Sequence, residues 1–200
     1  MNLFTDIETT LTAIEHGWTS IPKAQCLAAM VTAIRPEVSI EIGVFAGKGL
    51  AALALAHKSI GHGIAIGVDP YSVDASVAGQ VNPADAGWWT QLDHESIYKE
   101  AIGAIERFQL QPYCRLARSR SQDFDIPDNI GVLRIDGNHG EQALNDVERY
   151  CPKVVRGGFV MLDDIGWAGN AVSRAAVALG SNPEWRKLYD LEDAAVFQRL

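Results

Sequence analysis

Apolar residues recur at helical spacing through Leu3, Phe4, Ile7, Leu11 and Ile14, which predicts an amphipathic helix at the start of the chain. Ser20 and Pro22 supply a cap and first turn for a second helix to about Ile34, which Arg35-Pro36 ends. The pattern then changes period. Val38 to Ile42 is a β-branched run broken by one acid, and a glycine turn, Gly43 to Gly47, leads into a helix from Leu50 to His57. Gly63 to Asp69 repeats the strand pattern and again closes on an acid. Further strands are expected over Tyr113–Ala117, Ile130–Asp136 and Phe159–Asp164, and further helices over Glu95–Phe108, Glu141–Tyr150 and Asn170–Leu179. Trp185–Tyr189 and Ala194–Gln198, separated by Asp190 to Asp193, read as a closing hairpin. Pro70 to Asp93 lacks periodicity, is rich in Gly, Pro, Ser and Asp, and is too long for an ordinary connection; it predicts a substrate-facing insertion over about 70–95.

Strands alternating with helices imply an α/β fold, a mostly parallel sheet with helices on both faces. With 200 residues and 48% hydrophobic content, the chain reads as one domain (1–200), no composition shift suggesting two, its first 36 residues forming a helical segment. A formal charge of −8 argues against a nucleic-acid partner, since Arg115, Arg118 and Arg120 are the only dense basic cluster. Cys26, Cys114 and Cys151 are widely spaced and odd in number, which predicts reduced, mostly buried thiols rather than a disulfide framework or a zinc site. The acidic, amphipathic N-terminus and the absence of a long apolar run predict no membrane association and a cytoplasmic location.

The glycine turn carries the first chemical signal. A strand entering a glycine turn at a helix N-terminus lets backbone approach a nucleotide-like ligand, with free N–H groups facing it. A P-loop needs four residues before Gly-Lys and then Ser or Thr; only Val44, Phe45 and Ala46 intervene here, and Gly49 stands in the hydroxyl position. A dinucleotide fingerprint needs G-x-G-x-x-G, and this turn runs G-x-x-x-G-x-G. Asp69 at the next strand end is placed to accept hydrogen bonds from both hydroxyls of a ribose, or else to cap the following turn. Glu41, Gly43, Phe45 and Gly47 resemble the first motif of the class I S-adenosylmethionine-dependent methyltransferases, acid-x-Gly-x-x-x-Gly.

The acids at two further strand ends narrow this. Leu133-Arg134-Ile135-Asp136-Gly137-Asn138-His139-Gly140 and Arg156-Gly157-Gly158-Phe159-Val160-Met161-Leu162-Asp163-Asp164 resemble the branch containing macrocin and cephalosporin-pathway O-methyltransferase-like proteins, related to the cation-dependent caffeoyl-CoA O-methyltransferases. The resemblance spans roughly Val38 to Trp167. It implies a Rossmann-like class I methyltransferase fold with a seven-stranded sheet whose last strand is antiparallel, S-adenosyl-L-methionine as methyl donor, and a divalent ion, usually Mg2+. It also places Ser121, in Ser119-Arg120-Ser121, beside the adenine.

Geometry points to the same ion site. Neighbouring parallel strands lie about 4.8 Å apart and open onto one crevice, so Asp136, Asp163 and Asp164 can converge on a cation that relieves their repulsion, or each can cap a following helix. Methyl transfer to oxygen is an in-line displacement aided by positioning and by a lowered hydroxyl pKa. His139 is the candidate general base or a group orienting Asp136, and Asp136 could itself take the proton. Tyr71 and Ser72 are expected near the pocket, and Trp88-Trp89 form either an aromatic wall or a packing contact. His16 and His94 read as surface groups. The expected activity is therefore O-methylation of a small hydroxylated molecule, in a possible homodimer. An NAD-dependent oxidoreductase and a non-catalytic nucleotide-binding subunit are the rival readings.

Overall fold

The computed structural model describes residues 2–79, 82–167 and 170–200. Gln80 and Val81, inside the expected insertion, lie outside the described residues.

Two capped helices open the chain. In α1 (Leu3–Ala13) the Asn2 side chain accepts from Phe4 N, and Ile7 and Leu11 turn inward. Ser20 caps α2 (Ile21–Ile34) by accepting from Lys23 N, Pro22 sits in the first turn, and Arg35 ends the helix in a left-handed conformation. Both pack on α3 (Lys48–Ile60), the alanine- and leucine-rich helix that follows the glycine turn.

Seven strands follow the expected plan: β1 (Val38–Ile42), β2 (Ile64–Asp69), β3 (Cys114–Arg118), β4 (Ile130–Ile135), β5 (Val154–Leu162), β6 (Trp185–Leu191) and β7 (Ala194–Arg199). They form one sheet in the order β3-β2-β1-β4-β5-β7-β6; β1 to β5 pair in parallel, and β7 is antiparallel to both β5 and β6. Helices α1 to α3 and α6 (His94–Arg107) cover one face, while α7 (Gln142–Tyr150) and α8 (Ala171–Ser181) cover the other. The fully buried strand residues Ile40, Leu133 and Val160 pack under α7 and α8, whereas Val132 and Met161 face the first group.

Two expectations are corrected. The insertion is helical, with α4 (Val73–Val77) capped by Ser72 and α5 (Pro83–Gln91) capped by Asn82. Strand β5 begins at Val154, five residues before the expected Phe159, with Gly157 (φ +79°) accommodated within the strand. Among the described residues no helix is long and apolar enough to cross a membrane.

Candidate active site

The parallel strands end level with one another. Ile42, Ile135 and Leu162 are in register, and the next residues continue the ladder: Gly43 N donates to Val68 O (3.0 Å), Asp136 N to Ile42 O (2.8 Å) and Asp163 N to Ile135 O (3.0 Å). This row places Asp69, Gly43, Asp136 and Asp163 side by side along the C-terminal edge of the sheet, where open α/β sheets bind ligands. A cavity of about 530 Å³ opens on it, lined by Gly43, Phe45, Asp69, Ser121, Asp136 and His139 among others.

The glycine turn is held from below by Asp69. Its Oδ2 accepts from Val44 N (2.9 Å) and Phe45 N (3.0 Å), and its Oδ1 from Tyr71 N (2.8 Å). Burial raises the Asp69 carboxyl, and these three backbone donors oppose the rise. Tyr71 donates its hydroxyl to Phe45 O (2.8 Å), fixing Phe45 at φ +51°. Gly43 has φ +81°, and a Cβ there would collide with the Asp136 carbonyl, so only glycine lets β1 and β4 end this close together. Across the cavity, Tyr150 donates to Ser121 O (2.8 Å) and Gln142 bridges Ser121 Oγ (3.2 Å) and Asp146 Oδ1 (2.8 Å).

Aromatic rings form the cavity rim. Trp18, 70% exposed, stacks on Phe45 with centroids 5.0 Å apart and planes at 24°. Trp88 and Trp89 approach Trp18 edge-on at 5.4 Å and 6.5 Å, and His94 stacks on Trp89. His94 also contacts Trp89 O at 3.0 Å and lines the cavity, so it is a wall residue and not the expected surface group. His16, paired with Glu100 at 2.7 Å, lies on the surface as expected.

Behind Asp136 lies a buried charge network centred on Arg134, which is 2% exposed. Glu41 and Arg134 are in register on adjacent strands, so their side chains share a face of the sheet. Arg134 Nη1 bonds Glu41 Oε1 (2.5 Å) and Thr19 Oγ1 (2.9 Å); its Nη2 reaches Asp136 Oδ2 (2.7 Å) and Asp163 Oδ2. Lys23 joins Asp163 Oδ1 (2.5 Å) to Asp193 in the β6–β7 turn. Burial pushes Glu41 up to about 7 against the pull of Arg134. Burial likewise holds Asp136 well above the usual carboxylate range, with Asp163 and Asp164 adding to it and Arg134 opposing. Burial alone would raise Asp163, but Arg134 and Lys23 reverse this and hold it below its ordinary value.

A model of the family described as "Methyltransferase domain" matches residues 40–165, from β1 to just past the tip of β5. The chain belongs to the methyltransferase domain family. No curated protein matches it in sequence. Solved structures of similar fold include the O-methyltransferase NovP, at 16% identity and a TM-score of 0.75, covering 98% of this chain and 97% of that one. The O-methyltransferase from Bacillus cereus, solved in complex with SAH, is 13% identical with a TM-score of 0.65, covering 99% of this chain and 90% of its own. TomG from Streptomyces achromogenes, an O-methyltransferase of tomaymycin synthesis solved with SAM, is 11% identical with a TM-score of 0.65, covering 100% and 90%.

Within this methyltransferase the expected site residues divide. Gly43, Phe45, Asp69, Ser121, Asp136, His139 and Asp164 border the main cavity, as does Tyr71. Glu41 does not: it is fully buried beneath α3, where a Cβ on Gly49 would strike its Oε1 and Arg134 Nη1, so its part is to neutralise Arg134. Gly47, at φ +95°, caps α3 and opens on a smaller neighbouring pocket of about 60 Å³. Ser72 caps α4 and does not line the cavity. Asp163, expected as a metal ligand, bonds Lys23 and Arg134 and also lies grouped with Asp164 and Asp193, while His139, whose Nε2 lies 2.7 Å from Asp164 Oδ2, groups with Asp136 and Asp164. Lys23 and Arg134 were not anticipated. An arginine inside the apolar run Ile130–Ile135, two residues before Asp136 and therefore on the same face, was the available signal. Cys26, Cys114 and Cys151 are free thiols, the last two buried.

Proposed function

We propose that this methyltransferase is S-adenosyl-L-methionine-dependent and methylates a hydroxyl of a small molecule, with a divalent ion at the tips of β4 and β5. The observation that carries the reading is the cradle itself: Gly43 and Phe45, pinned by Asp69, open on a cavity that also contains Asp136. Its volume, about 530 Å³, falls within the range of small-molecule sites. The bound SAH and SAM of the Bacillus cereus enzyme and TomG support the same cofactor here.

In this reading the Asp69 carboxylate fixes the turn and accepts from the ribose, and Ser121, positioned by Tyr150, borders the adenine. Trp18, Phe45 and Trp89 exclude water from the acceptor side of the cavity. The residues fit a cation: His139 Nε2 is covered from solvent and makes no hydrogen bond, although it lies beside Asp164, and Asp136 completes an oxygen–nitrogen donor set. Asp136, His139 and Asp164 would hold the ion, which when bound lowers the pKa of an acceptor hydroxyl. Asp136 receives the hydroxyl proton, held in place by Arg134, and in-line transfer of the methyl group follows from the alignment of donor and acceptor.

Calorimetric titration with S-adenosylhomocysteine and with NAD tests the cofactor. Binding of the first alone is expected. Binding of NAD alone would return the chain to the oxidoreductases, and binding of neither would remove the methyl donor from the proposal.

A further inference from the structure

We infer that Asn138 is a positioning residue: its carboxamide latches α4 onto the loop after β4, and this latch closes one wall of the cofactor cavity and limits how fast the cofactor leaves. The latch is read from this chain alone; its effect on the cofactor rests on the S-adenosyl-L-methionine reading above.

The insertion forms part of the cavity wall. Ala75, Ala78 and Gly79 line it together with Gly43, Asp69 and Asp136 from the strand tips. Yet α4 has little apolar anchorage there. Five residues make too short a helix to persist alone, none of them is buried, and none belongs to either apolar core. A helix of that length also leaves the carbonyls of its last turn without partners of its own.

Asn138 supplies those partners. Its Nδ2 donates to Ala75 O (3.1 Å) and to Ala78 O (2.5 Å), at the end of α4. Its Oδ1 accepts from Gly140 N (2.8 Å), which fixes the end of the amide that faces the helix. Both amide hydrogens and the oxygen are therefore used. The two backbones meet at a pair of glycines: a Cβ on Gly140 would come within 2.9 Å of Asn138 Oδ1 and 3.3 Å of Gly79 O. Glycine at 140 thus permits the approach that the short carboxamide spans. The loop so engaged begins at Asp136 and carries His139, so the wall of the cavity and the groups beside the acceptor share one support. Lifting the end of α4 breaks the two bonds from Asn138 but exposes no residue of either core. Such local openings are the cheapest a fold allows, and they commonly gate release from an enclosed site.

Asn138→Asp isolates the latch, because a carboxylate keeps an acceptor for Gly140 N but turns oxygen, not N–H, towards the carbonyls of α4. Asn138→Ala removes both halves. In the ligand-free proteins, hydrogen exchange over residues 73–79 should quicken in both variants, while the amides of β1 and β4 exchange as in wild type and thermal unfolding is unchanged. Stopped-flow release of S-adenosylhomocysteine, followed by the fluorescence of Trp18 and Trp89 at the cavity, should be roughly tenfold faster, the scale of two neutral hydrogen bonds. Wild-type exchange over 73–79 in both variants would overturn the latch. Unchanged release beside faster exchange would overturn its control of the cofactor. A fall in thermal stability that accounts for the faster release would make Asn138 an ordinary structural residue. Should the wild type fail to bind S-adenosylhomocysteine, the cofactor reading falls and the control of release with it, whereas hydrogen exchange still decides the latch.

Discussion

Replacing Arg134 by Met gives the sharpest test of the buried charge network. The substitution keeps apolar bulk in β4 but strips Glu41, Asp136 and Asp163 of their shared guanidinium. Removing one partner of a buried ion pair costs about 3–5 kcal/mol, a large part of the roughly 5–15 kcal/mol that holds a domain together. For a chain of 200 residues each kcal/mol lowers Tm by about 2–4 °C, so a fall of roughly 10 °C is expected at pH 8. The loss must also depend on pH. Glu41 already stands at about 7 in the folded wild type, against 4.5 as its ordinary value, and without Arg134 it moves higher. A carboxyl whose folded pKa is raised stabilises the fold least at high pH: stability is fully present below the unfolded pKa and drains away as pH rises towards the folded one. At pH 5.5 the variant's Glu41 is protonated and needs no countercharge, so the gap to wild type narrows. Urea denaturation of both proteins at pH 8 and pH 5.5 measures this. An equal gap at the two pH values, or a loss below about 1 kcal/mol at pH 8, would refute the electrostatic account of Arg134.

Gly49→Ala should cost about 1–3 kcal/mol by thermal denaturation, because its methyl group meets Glu41 Oε1 and Arg134 Nη1, which have nowhere to move. Asp69→Asn should weaken S-adenosylhomocysteine binding at least tenfold by calorimetry, since three backbone donors of the cradle lose a charged acceptor; an unchanged Kd would mean that the turn holds its shape unaided. His57, bonded to Ser39 Oγ and His62 O, is held below its usual pKa by burial, so its contribution is present above pH 6.5 and is lost as pH falls below it. Denaturation of His57→Gln from pH 7 to pH 5 should show a smaller acid loss than wild type, and parallel curves would rule this out.

The strand tips were legible in the sequence because each is an apolar run ended by an acid or a glycine, and local pattern suffices to place them. The same local reading assigned Glu41 to the ligand, because it sees the acid before the glycine turn but not the arginine paired with it across β1 and β4. Arg134 itself stood in plain view as a charge in an apolar strand. Lys23 did not: it lies 140 residues from Asp163, and nothing in the pattern of α2 distinguishes it from a solvent-facing lysine. That pair is also why Asp163 was expected to be a free ligand. Helices α4 and α5 were missed because five and nine residues with little amphipathic contrast leave few periodic positions to read, although Ser72 and Asn82-Pro83 were fair start signals. The first residues of β5 were missed because Gly157-Gly158 interrupt the apolar run, although the ladder to β4 resumes at Phe159.

The position of β7 between β5 and β6 bears on the order in which the molecule assembles. As the chain grows, β6 precedes β7, yet β6 touches the sheet only through β7. β5 therefore keeps an open edge until β7 pairs with it, and β6 joins the sheet only through a β7 already in place. The turn that joins them carries Asp193, which shares Lys23 with Asp163. The β6–β7 turn thus ties the sheet edge to the charge network, and hydrogen exchange at the β5–β7 amides should report on the integrity of the site.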